Sequence, residues 1–346
     1  MLGKQSSTKD YQVKQYSLLN DNDLKGLAVQ RTNLVGRIAL YSLTVFMLSC
    51  PLTILAACLW LFASLTQYAW FLILYRTLVA FTLSSILALF FVLFILYRFL
   101  VPQRELHYLN LTNAKVHVCL TAYNDEICIG DAVKEFKSNP LVNKVIVVEN
   151  NSRDNTYQAA VVSGADAVVT ETAKGYGACC MRALAEGAEG LDDDDIVVLC
   201  EGDMTFSGND INKFIAYTEN CDLVLGTRAT QELRAMKTQM DWLINPANQV
   251  VAKMIQTRFW GTRLTDVGCT YRAIRVGAYR RLASHLKVRG NHFSPHMFIE
   301  ALKMRMRVIE IPVVFQARAG ESKGVGSNKI KAARVALRML KLLYAA

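Results

Sequence analysis

Two hydrophobic patterns divide the chain. In the first third, apolar residues run almost unbroken: no charged side chain lies between Ile38 and Trp70, and none between Thr77 and Tyr97. Each stretch exceeds the ~20 apolar residues needed to cross a bilayer core, so two membrane-spanning helices are predicted, with Pro51 a kink in the first. After Lys115 the pattern changes to short apolar runs that alternate with helical periodicity. Strands are predicted at Val116–Leu120, Lys144–Val148, Ala167–Thr170, Ile196–Leu199, Leu223–Gly226 and Val308–Phe315, the last an edge or bulged strand because it contains Pro312. Helices are predicted at Ile129–Ser138, up to Ser163, at Ala178–Glu189, over a long region Leu233–Phe259, and at Ala278–Ser284 and His292–Met304.

This alternation predicts an α/β fold with a mostly parallel, doubly wound sheet and helices on both faces. Ligands in such sheets bind beyond the carboxyl ends of the strands. Asn328–Tyr344 reads as a basic helix with Lys331, Arg334, Arg338 and Lys341 on one face, suited to an anionic membrane surface. The domain boundaries expected are therefore a tail at 1–33, a two-helix hairpin at 34–100, an α/β domain at 101–326 and an interfacial helix at 327–346.

Charge sets the orientation. Lys25, Arg31 and Arg37 precede the hairpin and Arg98, Arg104 and Lys115 follow it, whereas the connection carries one basic residue, Arg76. The positive-inside rule then puts the tail and the α/β domain in the cytoplasm. The formal net charge of +10 over 346 residues points to phosphate or anionic lipid. Nucleic acid is not expected, because no zinc-finger, helix-turn-helix or RNP pattern is present. The nine cysteines include no C-x-x-C pair and are read as reduced, which fits a reducing compartment.

The candidate chemistry lies where the strands end. Ile196–Leu199 leads into Cys200-Glu201-Gly202-Asp203, two carboxylates separated by a glycine that would let phosphates approach. This is oxygen chemistry for Mg²⁺ or Mn²⁺, which take one or two carboxylates and fill the rest of the shell with water and phosphate oxygens. The neighbouring run Asp192–Asp195 is read as a solvated acidic loop.

Several motifs follow in order: Leu120-Thr-Ala-Tyr-Asn-Asp-Glu, Val148-Glu-Asn-Asn-Ser-Arg-Asp-Asn-Thr, Lys174-Gly-Tyr-Gly, Glu201-Gly-Asp, Gly226-Thr-Arg, Asp266-Val-Gly-Cys-Thr-Tyr-Arg and Arg318-x-Gly-x-Ser-Lys. Together, from about Val116 to Lys323, they resemble the family 2 glycosyltransferases of GT-A fold. Within these they are most similar to the polyprenyl-phosphate sugar synthases, such as dolichyl-phosphate mannose synthase. The resemblance implies that Thr121, Tyr123, Glu126, Glu149, Lys174 and Gly202 line the nucleotide pocket. It implies that Glu201 and Asp203 hold the metal, with Thr205 at a third position. Asp266 would sit by the transferred sugar, and Arg228, Arg318 and Lys323 would hold diphosphate or acceptor phosphate. Three departures stand out: Glu-x-Asp replaces the usual Asp-x-Asp, Glu149-Asn150 replaces a pair of aspartates, and the hairpin precedes the catalytic domain.

The function expected is inverting, metal-dependent transfer from a nucleotide sugar, UDP- rather than GDP-linked, to a polyprenyl phosphate at the cytoplasmic membrane face. Bond breakage builds negative charge on the leaving diphosphate, which a metal and fixed cations stabilise. A phosphate acceptor is already anionic and needs orientation more than a base. Two alternatives stand beside it. A sugar-hydroxyl acceptor would need a true base, for which Asp266 is the candidate. The other is a non-catalytic membrane scaffold. The Asn291–His296 segment could touch sugar or lipid, and a homo-oligomer is compatible with the sequence.

Overall fold

The structure is a computed structural model that describes residues 21–64, 69–91, 108–109, 111, 113–236, 238, 244–259, 262–318 and 329–346. The 1–20 part of the expected tail, and Arg98, Arg104 and Lys323, lie outside the described residues.

Helix α1 (Asp21–Ser64) and helix α2 (Ala69–Phe90) form the N-terminal hairpin. α1 continues through Pro51 and starts at Asp21, so part of the expected tail is helical. Asn33–Leu61 and Leu72–Phe90 are long and apolar enough to cross a membrane, with mean hydropathies of 2.0 and 1.9. The hairpin is inside-out relative to a water-soluble helix pair. Its hydroxyls face each other, with Thr53 Oγ1 2.6 Å from Thr82 Oγ1 and Ser49 Oγ 3.4 Å from Ser85 Oγ. Trp60 stacks on Tyr75, while Leu48, Ile54, Leu61, Ile73 and Leu87 project outward, each more than 60% exposed.

The rest is a seven-stranded sheet in the order β3-β2-β1-β4-β6-β5-β7. Its strands are β1 (Val116–Ala122), β2 (Lys144–Glu149), β3 (Ala167–Thr170), β4 (Ile196–Glu201), β5 (Leu223–Thr227), β6 (Arg272–Arg275) and β7 (Val308–Pro312). The central strands β1 and β4 are buried on both faces, as continuous apolar runs require. Helices α3 (Ile129–Lys137), α4 (Thr156–Val162), α5 (Tyr176–Ala188), α6 (Ile211–Thr218), α7 (Ile244–Phe259), α8 (Val276–Leu282) and α9 (Phe293–Lys303) follow in chain order, and α10 (Lys329–Ala345) completes the chain. Two apolar clusters fill the two faces of the sheet, one under α5, α7 and α9, the other under α3 and α6.

Two sequence expectations change. β6 was not anticipated, and it is antiparallel to both neighbours, so the sheet is mixed. Its four residues are bracketed by arginines that hide the strand pattern. Arg272 is nevertheless buried, donating to the Cys269 carbonyl at 2.5 Å and the Ser294 carbonyl at 3.1 Å. The long helical region expected from Leu233 is not continuous: a 3-10 turn at Gln231–Leu233 gives way to extended chain at Arg234. Arg234 bridges Phe315, and the Ala235 N–H donates to the Phe315 carbonyl. The α-helix itself begins at Ile244.

α1 also packs against the α/β domain. Val35, Gly36, Ala39 and Leu40 are buried, and a Cβ on Gly36 would fall on the Arg258 carbonyl oxygen of α7. α10 closes the same corner. Leu343 is buried, Tyr344 packs on Tyr41, and Arg37 and Arg258 both donate to the Ala346 carbonyl. Arg334, Arg338 and Lys341 remain exposed.

Candidate active site

The chain turns sharply where β1, β2 and β4 end. Asn124, Asn151 and Met204 adopt left-handed backbone with φ of 51°, 58° and 61°, a conformation that costs a non-glycine residue and clusters at functional sites. These turns bring the β1, β2 and β4 loops onto one edge of the sheet.

From β4, Asp203 is 2% exposed. Its Oδ1 accepts from the Thr205 N–H at 3.1 Å and from Thr205 Oγ1 at 2.5 Å. Thr205, expected at a third metal position, thus orients Asp203. Among the described residues no hydrogen bond reaches the Glu201 carboxylate. Burial, and then the neighbouring Asp203, push its pKa up to about 8, with Arg318 and Arg228 pulling the other way. A Cβ on Gly202 would meet Ile129 Cδ1, so the position is closely packed.

From β1, Thr121 is buried and donates to the Cys200 carbonyl at 3.4 Å, while Tyr123 is half exposed. Glu126 faces solvent and accepts from the Asn155 N–H at 2.8 Å, tying the β1 loop to the start of α4. Sequence reasoning passed over Asp125 beside it. Asp125 is buried; its Oδ2 accepts from the Tyr123 N–H at 2.9 Å, and its Oδ1 accepts from Arg318 Nη2 at 2.8 Å. Arg318 Nη1 also lies 3.2 Å from Asp203 Oδ2. One guanidinium therefore joins carboxylates from two strands.

From β2, Glu149 is buried and accepts from the Ser152 N–H at 2.7 Å. Asn150 accounts for the lost aspartate. Its amide nitrogen donates to the Glu171 and Ala173 carbonyls at 2.8 Å each, and its oxygen accepts from the Gly175 N–H at 3.0 Å. A carboxylate has no N–H to give those carbonyls. Lys174 sits in this stitched loop with its side chain exposed.

Asp266 and Arg228 form the second centre. Arg228 Nε donates to Asp266 Oδ2 at 2.7 Å and Nη2 to Oδ1 at 2.9 Å; the Arg228 N–H (3.1 Å), the Gly268 N–H (2.9 Å) and Asn248 Nδ2 (2.6 Å) add three more bonds. Burial pushes the Asp266 pKa up, but the Arg228 charge and these hydrogen bonds outweigh it and hold the group below the usual carboxylate range. Arg228 is in turn held more firmly protonated. The backbone of this turn is fixed by Glu310, which accepts from the Thr265 N–H, Thr265 Oγ1 and the Asp266 N–H at 2.7–3.0 Å. Asn248 and Glu310 were missed in the sequence because each lies in a different element, α7 and β7. His296 is structural, accepting from the Lys287 N–H through Nε2.

Among the described residues, no three His, Cys, Asp or Glu side chains converge to hold an ion by themselves. The Glu201 and Asp203 oxygens are nonetheless hard-cation donors, and substrate phosphate and water ordinarily complete such shells. The residues present fit a divalent ion shared with a diphosphate.

The family described as Glycosyl transferase family 2 matches residues 117–283. Protein RfbJ of Shigella flexneri is 29% identical over 115 residues, 33% of this chain and 84% of that one. Among solved structures, glucosyl-3-phosphoglycerate synthase from Mycobacterium tuberculosis shares the fold. Its complex with Mn²⁺, uridine-diphosphate and phosphoglyceric acid superposes with a TM-score of 0.52 at 17% identity, over 67% of this chain and 80% of that one. Its phosphoglyceric acid complex gives 0.51 at 16% identity, over 68% and 80%. Residues 117–283 match glycosyl transferase family 2 on a GT-A-like fold, and the protein is a glycosyltransferase.

Proposed function

We propose that this glycosyltransferase moves a sugar from a nucleotide sugar to a polyprenyl phosphate at a membrane surface. The observation that carries this reading is the state of Asp266. Five hydrogen bonds, two from a guanidinium, saturate its oxygens. A general base must be free to accept a proton and have a pKa near the working pH; Asp266 meets neither condition. An acceptor that arrives already ionised does not need a base, and a phosphate monoester is such an acceptor. This disfavours a sugar hydroxyl.

The remaining residues divide the work. Thr121, Tyr123, Glu149 and Lys174 surround the nucleotide; Glu201 and Asp203 hold a divalent ion, Mg²⁺ or Mn²⁺. When bound, that ion stabilises the charge that develops on the leaving diphosphate. Asp266 fixes the Arg228 fork, which lies over the Phe315 ring at 5.3 Å, so that a cation is preorganised beside the reacting sugar. Arg318 and Lys323 serve the phosphates. The Mn²⁺ and uridine-diphosphate in the solved neighbour support a metal and a UDP-linked donor.

The hairpin supports the membrane part of the reading: apolar side chains face outward and hydroxyls face each other, the arrangement that suits lipid. The α1–α7 contact would hold the domain against the bilayer, with the expected cytoplasmic orientation. The α10 cations would lie along an anionic surface.

The test is transfer from a panel of UDP- and GDP-sugars, with Mn²⁺, to undecaprenyl phosphate, dolichyl phosphate and the matching free prenols. Product on a phosphate and none on the prenol is expected. Transfer confined to hydroxyl acceptors would overturn the proposal.

A further inference from the structure

The carboxylates at the ends of β1 and β4 already have a cation. Arg318 reaches Asp125 Oδ1 at 2.8 Å and Asp203 Oδ2 at 3.2 Å, and the three side chains are 16%, 6% and 3% exposed. The contact is therefore shielded from water, where charges act strongly on one another. Its position follows from the chain path. Beyond β7 the backbone runs beside the β4 loop: Phe206 bridges Phe315, and the Gln316 N–H donates to the Thr205 carbonyl at 2.8 Å. Arg318 is two residues further on. The segment that pairs with the Asp203 loop thus delivers the guanidinium to it.

Asp203 has no second face to offer. Oδ1 is committed to Thr205, so Oδ2, the oxygen facing Arg318, is the one left for a ligand. A divalent ion binds carboxylate oxygen at roughly 2.0–2.1 Å. A guanidinium nitrogen and such an ion on one oxygen would be two adjacent positive charges in a site of low dielectric. They exclude each other.

We propose that Arg318 is the resident counter-cation of this site, exchanged for the divalent ion when metal and nucleotide enter, and that the guanidinium so released becomes the acceptor phosphate's binding group. This deepens the transferase reading above and rests on it. It imposes an order. Before the exchange Arg318 is spent on Asp125 and Asp203 and has little to offer an acceptor phosphate; afterwards it is free while Asp203 is neutralised. Donor therefore precedes acceptor. No bond is made or broken in the exchange; one cation replaces another.

The test uses the full chain in detergent. Mn²⁺ binding is followed by electron paramagnetic resonance, and arginine labelling by phenylglyoxal is mapped by peptide mass spectrometry, with exposed Arg338 as internal standard. Arg318 should be protected in EDTA and label severalfold faster once Mn²⁺ is bound. Farnesyl phosphate should bind wild type only with Mn²⁺ and UDP present, and Arg318→Met should lose that binding while still taking up Mn²⁺. Bound Mn²⁺ with unchanged Arg318 labelling, or farnesyl phosphate binding equally well in EDTA, overturns the exchange and leaves the metal site standing. Absence of any Mn²⁺ binding overturns both.

Discussion

Arg228 grips Asp266 with two parallel bonds of 2.7 and 2.9 Å, and Asn248, from the distant helix α7, closes the remaining side at 2.6 Å. Such forks are rigid as well as strong. The carboxylate expected beside the transferred sugar is thus held on both oxygens by Arg228.

This arrangement predicts the behaviour of Asp266→Asn. Removing one charge leaves Arg228 buried without its partner, a loss of up to about 3–5 kcal/mol. The folded pKa of Asp266 lies below its unfolded value, so its contribution is complete above the ordinary carboxylate range and is lost only as pH falls through the depressed value. The stability difference between wild type and Asp266→Asn, measured by denaturant titration, should be flat around neutral pH and shrink in acid. The pH–rate profile should show no basic group that the substitution removes; a limb that vanished with Asp266 would restore it as a base.

Asn150→Asp restores the residue usual at this position and should do harm. The new carboxylate would face the Glu171 and Ala173 carbonyls, which now receive N–H donors. Orphaned acceptors cost about 1–3 kcal/mol, and the loop carrying Lys174 would loosen. A lower melting temperature and a raised KM for the nucleotide sugar are expected. Unchanged values of both would show that the stitching is incidental.

Gly36→Leu tests the join between hairpin and domain. The added side chain would be driven into the Arg258 carbonyl, and overpacking of this kind costs roughly 1–3 kcal/mol. The variant should unfold at lower temperature and be cut more readily by protease between α1 and the domain. Full wild-type resistance would mean that α1 and α7 are not tightly packed.

Asp166 offers a pH test far from chemistry. Burial raises its pKa, but the Val145 N–H at 2.7 Å and Lys137 at 2.9 Å outweigh that and lower it. Its stabilisation is therefore present above the unfolded value near about pH 4 and disappears as pH falls through the lower folded value. Asp166→Asn should cost about 0.5–1 kcal/mol at neutral pH, since the pair is partly exposed. The cost should vanish in strong acid; a cost that persisted there would assign the effect to packing.

The sequence by itself determined the apolar hairpin, the parallel strands and the carboxylates at their ends. Each of these is written locally, in uncharged length, in β-branched runs, or in polar residues directly after a strand. Only the tertiary structure decided how those groups are held. β6 is short and bracketed by arginines, so its antiparallel place between β4 and β5 came from pairing. Asn248, Glu310, Asp125 and Arg318 reach the site from four separate elements, and hydrogen bonds between residues tens to hundreds apart in the chain leave no periodic trace. Asp266 has a base's chemistry in the sequence; the five donors folded around it make it a clamp.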